Sequence, residues 1–341
     1  MTDATTRLPG LDGIRAVAVL LVIFHHLCSN GTFAAWPAVA HALKQGIFGV
    51  QIFFVLSGFL ITWLLLNEEA RTGRIDLWRF YRRRAFRILP PALAYLGVIT
   101  LLAAAGVLVV GSGDLLSSWF FVRNLYTSGT SPAVAHFWSL AVEEQFYLTW
   151  PFALVLLPPG RRAGAVAAAV LGLALWRASG VGHFGQTVAG GEALLVGCLL
   201  ALVRHRAGGV QPATSRTVAA VVVPVSLVVI ALVEFGSDDV RAIDGLRSVS
   251  LFAVAAIINA AVERRPRLLD VVLGTGALQR TGRLSYSLYL WQQPFCWGPL
   301  AVAFAPSAWP ALIAASCACA AASYYLIEQP ALAWRDRARQ G

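Results

Sequence analysis

The chain has 341 residues, of which 58% are hydrophobic and 13% charged, against roughly a quarter charged in soluble domains. Several uninterrupted apolar runs exceed the roughly 18 residues that mark a bilayer span, so an ordinary soluble enzyme is excluded. The formal net charge of +10 would suggest nucleic acid as the partner of a soluble protein. Here the basic residues are sorted by loop, which points to a lipid bilayer instead.

In lipid only helices and closed barrels satisfy the backbone. The runs are long and continuous, not short and alternating, so the predicted class is all-α: a polytopic helical bundle in one transmembrane domain over residues 1–341. About ten spans are predicted, near Ile14–Cys28, Ile47–Leu66, Ala85–Val110, Phe137–Leu157, Ala163–Ala178, Val188–Val203, Val218–Phe235, Ile243–Val262, Leu284–Phe304 and Trp309–Leu326. Alternate connections then differ sharply in charge. Of the 27 Lys and Arg residues, 22 fall on one side, and only Lys44, Arg123, Arg177, Arg241 and Arg247 fall on the other. The positive-inside rule puts the rich side and both termini in the cytoplasm. The five cysteines lie in or at the edge of predicted spans and read as small packing residues, not a disulfide framework. Pro158–Gly160 and Gly208–Pro212 read as ordinary connections. No tail looks long enough for a second soluble domain.

Ionisable groups inside a span are costly and mark function by default. The first set lies in Leu11-Asp12-Gly13-Ile14-Arg15 and His25-His26. Arg15 and His26 are eleven residues apart, about three helical turns, so they share a face. Asp12 is one turn before Arg15 and is placed to pair with it. His26 can take a proton from an alcohol or can be a hydrogen-bonded core histidine. His25 points about 100° away and reads as packing.

The second set is Arg79-Phe80-Tyr81-Arg82-Arg83-Arg84-Ala85-Phe86-Arg87, entering the third span. Its arginine forks suit phosphate, although a lipid-surface anchor reads equally well. The third set is His136-Phe137-Trp138-Ser139-Leu140-Ala141-Val142-Glu143-Glu144-Gln145-Phe146-Tyr147. His136, Glu143 and Tyr147 share a face by their spacing. The alternative there is an ion pair that fixes helix packing. The fourth set, Gly282-Arg283-Leu284-Ser285-Tyr286-Ser287-Leu288-Tyr289-Leu290-Trp291-Gln292-Gln293, interleaves polar and aromatic groups as the wall of a polar cavity would. Hydrogen-bonded helix packing is its bland reading. Glu328, in Glu328-Gln329-Pro330, reads as a capping or loop-pairing acid.

Taken together, these blocks and Phe53-Phe54-Val55-Leu56-Ser57-Gly58-Phe59-Leu60-Ile61-Thr62 resemble the acyltransferase-3 family of membrane acyltransferases, from Leu11 to Pro330. The resemblance implies an integral membrane O-acyltransferase of a bacterial cytoplasmic membrane. Such an enzyme moves an acyl group, acetyl foremost, from acyl-CoA to a hydroxyl of a cell-envelope glycan or a macrolide-like metabolite. The family's first-span pair resembles Arg15 and His26, and its paired arginines resemble Arg83 and Arg87. Two positions depart from it: Gln51, where many members carry Asp, and Gln292, where many carry His.

On this reading His26 is the base, with Arg15 and Glu143 orienting it or stabilising charge. Arg83, Arg84 and Arg87 hold the donor's phosphates. Ser57, Trp138, Tyr147, Tyr286, Tyr289 and Gln292 line the substrate cavity. No metal-ligand spacing is present, and no permanently bound cofactor is expected. The missing second domain points mildly away from a two-step polysaccharide acetyltransferase. The rivals are a transporter and a non-catalytic relative that moves an acylated or sugar substrate.

Overall fold

The computed structural model of the chain describes residues 9–126, 128–129, 131–179, 185–208, 216–235, 240–264, 266–304 and 306–337. Arg7, Arg339 and part of the Gly208–Pro212 connection lie outside the described residues. All regular structure among the described residues is helical. In chain order the helices are α1 Pro9–Ser29, α2 Pro37–Lys44, α3 Phe48–Thr72, α4 Leu77–Ala104, α5 Ser112–Trp119, α6 Phe137–Leu156, α7 Arg162–Ala178, α8 Gly185–Arg206, α9 Arg216–Phe235, α10 Val240–Val262, α11 Arg267–Leu273, α12 Gly276–Cys296, α13 Pro299–Ala303, α14 Trp309–Ser323 and α15 Gln329–Arg337.

Local chemistry sets several boundaries. The Asp76 carboxylate accepts from the Arg79 backbone N–H at 2.9 Å and caps α4, satisfying a donor that has no partner inside the helix. Gly73 ends α3 in the left-handed region (φ 73°), its N–H returned to the Glu69 carbonyl, a conformation natural to glycine. Pro330 has no N–H to give the Leu326 carbonyl. Just before it, Tyr324–Glu328 take the wider π winding.

Each of the ten expected spans coincides with a helix, but fewer qualify as spans by length and apolarity. Six helical stretches do so: Gly10–Ser29, Pro37–Thr72, Leu77–Ala104, Gly185–Arg206, Val218–Phe235 and Trp309–Arg337. A seventh is added if Leu246–Val262 and Arg267–Leu273 are one bent span. The physical reason is plain. Helix α7 has 17 residues. Helix α6 carries Glu143, Glu144 and Gln145, and α12 carries Arg, Ser, Tyr and Gln side chains. Two of the three helices richest in expected site residues, α6 and α12, are thus too polar to register as spans, while α4 does register.

The helices form two compact units, with α1, α6 and α12 each running from one into the other. Unit 1 holds residues 1–21, 47–73 and 154–283. Within it α8 packs on α3, α7 and α10, and α9 packs on α10. Between apolar helices in lipid, close backbone approach through small residues drives association. A Cβ at Gly58 of α3 would overlap the Leu194 carbonyl oxygen of α8, and one at Gly197 of α8 would overlap the Val55 carbonyl of α3. Unit 2 holds residues 22–46, 74–153 and 284–341. In it α15 and the π turn pack on α4, and α5 packs on α4, around the fully buried Tyr95, Leu96, Ile99 and Phe137.

Candidate active site

Most of the expected site residues lie in unit 2. His26, near the C-terminal end of α1, is buried, and its ring stacks on Trp297 with centroids 5.3 Å apart and planes 7° from parallel. Its Nδ1 is 2.7 Å from Gln292 Oε1 on α12. The tautomer follows from the next two residues along. Gln293 Nε2 donates to the Pro132 carbonyl at 2.8 Å, which turns Gln293 Oε1 toward Gln292. Gln292 Nε2 donates to that oxygen at 3.1 Å and to the Tyr289 carbonyl at 3.3 Å. Gln292 Oε1 is then left as the acceptor, so His26 Nδ1 carries the proton and Nε2 keeps its lone pair. A backbone carbonyl thus orients the imidazole through two buried amides. His25 is turned aside, its Nδ1–H given to the Lys44 carbonyl.

The segment before α6 is held from several sides. Asp114 is paired with Arg123 at 2.9 Å and accepts from the Ser131 N–H at 3.2 Å. Tyr95 Oη donates to the Ala133 carbonyl at 2.6 Å. The His136 carbonyl accepts from Ser139 Oγ at 3.0 Å and from Tyr289 Oη at 3.4 Å, and the Ser139 and Tyr289 hydroxyls share a hydrogen bond. On α12, Tyr286, Tyr289 and Gln292 recur at intervals of three residues and so lie along one side of the helix.

A second group gathers where α4, α6, α12 and the π turn approach one another. The Arg84 guanidinium lies over the Tyr147 ring, 4.7 Å from its centroid, and Tyr147 Oη donates to Glu143. Arg84 also feels the charges of Arg87, Glu143 and Glu144. Tyr286 Oη donates to the Ile88 carbonyl at 3.0 Å, beside the Pro90–Pro91 pair in α4. Glu328 is buried and accepts from Ser287 Oγ at 3.1 Å, within electrostatic reach of Arg87. The capping or loop-pairing role expected for Glu328 is therefore corrected. The π turn adds a residue to the helical winding, and the acid points inward. Trp138 is half-buried on α6, Arg83 half-buried on α4 and Arg87 exposed.

Arg15 and Ser57 belong to unit 1. Arg15 is salt-bridged to Asp12 at 3.0 Å, the pairing its spacing predicts, and Ser57 is half-buried on α3. Among the described residues no group of three or more His, Cys, Asp or Glu could hold a metal ion, and the cysteines are free thiols.

An imidazole with one nitrogen held by an amide and the other without a hydrogen-bond partner among the described residues, inside an apolar bundle, is equipped for proton transfer. Residues 8–328 match the family model described as an acyltransferase domain. The chain belongs to the acyltransferase-3 family. It is 30% identical, over 94% of its length, to the peptidoglycan O-acetyltransferase OatA of Listeria monocytogenes, covering 55% of that protein. It is 31% identical, over 84% of its length, to the O-acetyltransferase OatA of Staphylococcus aureus, covering 50%. It is also 30% identical, over 95% of its length, to the putative peptidoglycan O-acetyltransferase YrhL of Bacillus subtilis, covering 54%. The chain thus spans about half the length of these curated relatives. No solved structure matches it.

As an acyltransferase-3 domain with at least six apolar helices, the chain is a multi-pass membrane protein. The match is to transferases and not to transporters. In this acyltransferase-3 domain Gln292 replaces the histidine that the resemblance leads one to expect, and it is the direct partner of His26. Gln293, Trp297 and Pro132, which complete the arrangement, were not among the expected site residues. The adjacent pair of glutamines in a buried helix was the signal available for the first of them.

Proposed function

We propose that this domain is a bacterial cell-membrane O-acetyltransferase that moves an acetyl group from a cytoplasmic acyl-CoA to a hydroxyl of a cell-envelope glycan. Peptidoglycan is the acceptor class favoured by the names of the relatives. None of those names supports a macrolide acceptor. The proposed arrangement keeps ten spans and both termini in the cytoplasm, on the strength of the loop charge bias.

The observation that carries the reading is the hydrogen bond from His26 Nδ1 to Gln292, which leaves Nε2 free to act as a base. The acceptor hydroxyl gives its proton to His26 Nε2 as its oxygen attacks the thioester carbonyl carbon. The new C–O bond forms, the C–S bond breaks, and the proton passes from the imidazolium to the departing thiolate. The ester and free CoA thiol result. Arg84 and Arg87, with Arg83, supply guanidiniums for the donor's phosphates. Glu143 is tied to Tyr147 beneath Arg84 and holds that arginine in place. Arg15 acts from the same helix as His26. Ser57 has no role in a direct transfer of this kind.

The test is acetyl transfer by the purified chain in detergent, from labelled acetyl-CoA to muropeptide and other glycan fragments. Wild-type protein labels a glycan hydroxyl. His26→Ala lowers the rate by about 10²–10⁴-fold, the contribution of a positioned general base, with its melting temperature kept. Full transfer by His26→Ala would defeat the assignment.

A further inference from the structure

The same interior holds a second imidazole with unusual surroundings. Its carbonyl is pinned by Ser139 and Tyr289, and its ring is enclosed by Tyr95, Phe137 and Tyr289 at centroid distances of 5.2, 4.9 and 5.6 Å. The residue, His136, is buried, yet neither Nδ1 nor Nε2 has a hydrogen-bond partner among the described residues. Buried polar atoms are rarely left in that condition, because their desolvation is then uncompensated. The ring of Tyr95 is flanked by a second such group: Trp291 lies 5.2 Å from it, and its buried Nε1–H is also unpartnered.

An indole N–H can only donate, so the partner it lacks is an acceptor. Aromatic walls exclude a solvated ion and suit a small neutral group. His136 is close enough to His26 for their charges to interact. Phenylalanine at position 136 would serve the aromatic packing equally well without the desolvation cost, so packing alone does not account for an imidazole there.

We propose that His136 donates a hydrogen bond to the carbonyl oxygen of the acyl group being transferred, inside the box formed by Tyr95, Phe137, Tyr289 and Trp291. The inference rests on the acetyl-transfer reading above and adds an acyl-binding site to it. The carbonyl oxygen gains negative charge as the acceptor attacks, so a donor fixed at that point strengthens most in the transition state. The pinned backbone keeps the ring in place before substrate arrives.

The experiment uses the full chain in detergent with His136→Phe and His136→Gln. His136→Phe fills the box without a polar atom, and we expect it to melt at or above the wild-type temperature. Its kcat falls by about 10²–10³-fold, the usual effect of removing one such donor, while KM for acetyl-CoA stays within about threefold. His136→Gln, which retains an N–H, recovers at least about tenfold of that loss. A second readout needs no turnover: the infrared band of bound acetyl-CoA labelled with ¹³C at its carbonyl. It lies below the solution frequency in the wild type and in His136→Gln and returns to it in His136→Phe. If His136→Phe fails to fold, His136→Leu takes its place. Transfer within threefold of wild type by the apolar variant, or a carbonyl band that is the same in both proteins, overturns the inference. Loss of the acetyl-transfer reading is seen separately, as wild-type protein that shifts the band but labels no hydroxyl.

Discussion

Buried charge is handled differently in the two units. In unit 1 it is closed off in pairs between neighbouring helices. Arg162 of α7 forms a fork with Glu69 of α3 at 2.5 and 2.9 Å. Arg177 of α7 meets the fully buried Glu192 of α8 at 2.9 Å and Ser248 of α10 at 2.9 Å. Arg204 of α8 meets Asn259 of α10 and Glu263 just beyond its end at 2.5 and 3.1 Å, with its guanidinium 5.9 Å from the Trp63 ring. Unit 2 also has a closed pair, Asp114 with Arg123, but around His26 and His136 its polar groups form chains with open ends. The chain through Pro132, Gln293 and Gln292 stops at a His26 nitrogen that bonds to no described residue, and His136 and Trp291 keep unpartnered nitrogens. The contrast separates two uses of charge in lipid. A closed pair fixes which helix faces meet, whereas an open end is an atom available to a substrate.

That comparison can be broken in stages, from the largest expected effect to the smallest. Glu192→Leu alone leaves the Arg177 guanidinium buried without its counter-charge. It should cost about 3–5 kcal/mol of stability, while the Arg177→Leu, Glu192→Leu double variant recovers most of that loss. Thermal melting in detergent checks this, and equal melting of single and double variants would show the pair to be inert. Gln292→Leu should fold but lose roughly 10–100-fold in kcat, the size of effect seen for groups that orient a working imidazole. Gln292→His, which restores an acceptor, should lose less. Arg84→Gln should raise KM for acetyl-CoA by about tenfold, if one charge-assisted hydrogen bond of roughly 1.5–3 kcal/mol is removed, with kcat nearly kept. A fall in kcat with unchanged KM would move Arg84 from donor binding to chemistry. At the bottom of the scale, Arg264 pairs with Asp270 at the surface at 3.1 Å. Arg264→Ala should leave the melting temperature in detergent essentially unchanged, as expected of an exposed pair.

Much of this molecule is legible in its sequence because lipid imposes strict rules. The apolar runs located a helix for each expected span, and the spacing of Asp12 and Arg15 foretold their salt bridge. Glu143 and Tyr147, one helical turn apart, do bond. Other features depend on contacts between distant segments, which periodicity does not encode. The reach of Gln293 to Pro132 spans 161 residues, and no local pattern announces it. Glu328 reads as a capping or loop-pairing acid because Pro330 follows it at the end of the last span; in the structure the π turn of Tyr324–Glu328 leaves it buried against Ser287. The resemblance singles out Arg83 and Arg87 as the paired arginines, yet it is Arg84 that stacks on Tyr147, because the facing helix selects the side chain. The apolar helices that qualify by length and composition are six, or seven with the bent pair, rather than ten. Helices α6 and α12 do not reach that count because of the Glu, Gln, Arg and Ser side chains they carry.

The central claim is that the buried amide chain fixes the His26 tautomer. Nitrogen-15 NMR of the histidine-labelled protein in detergent micelles, with His26 assigned by its loss in His26→Ala, reads this directly. The account predicts a neutral ring with its proton on Nδ1 and a bare Nε2, and loss of that preference in Gln292→Leu. A ring protonated on Nε2 in the wild type, or one indifferent to Gln292→Leu, would contradict it.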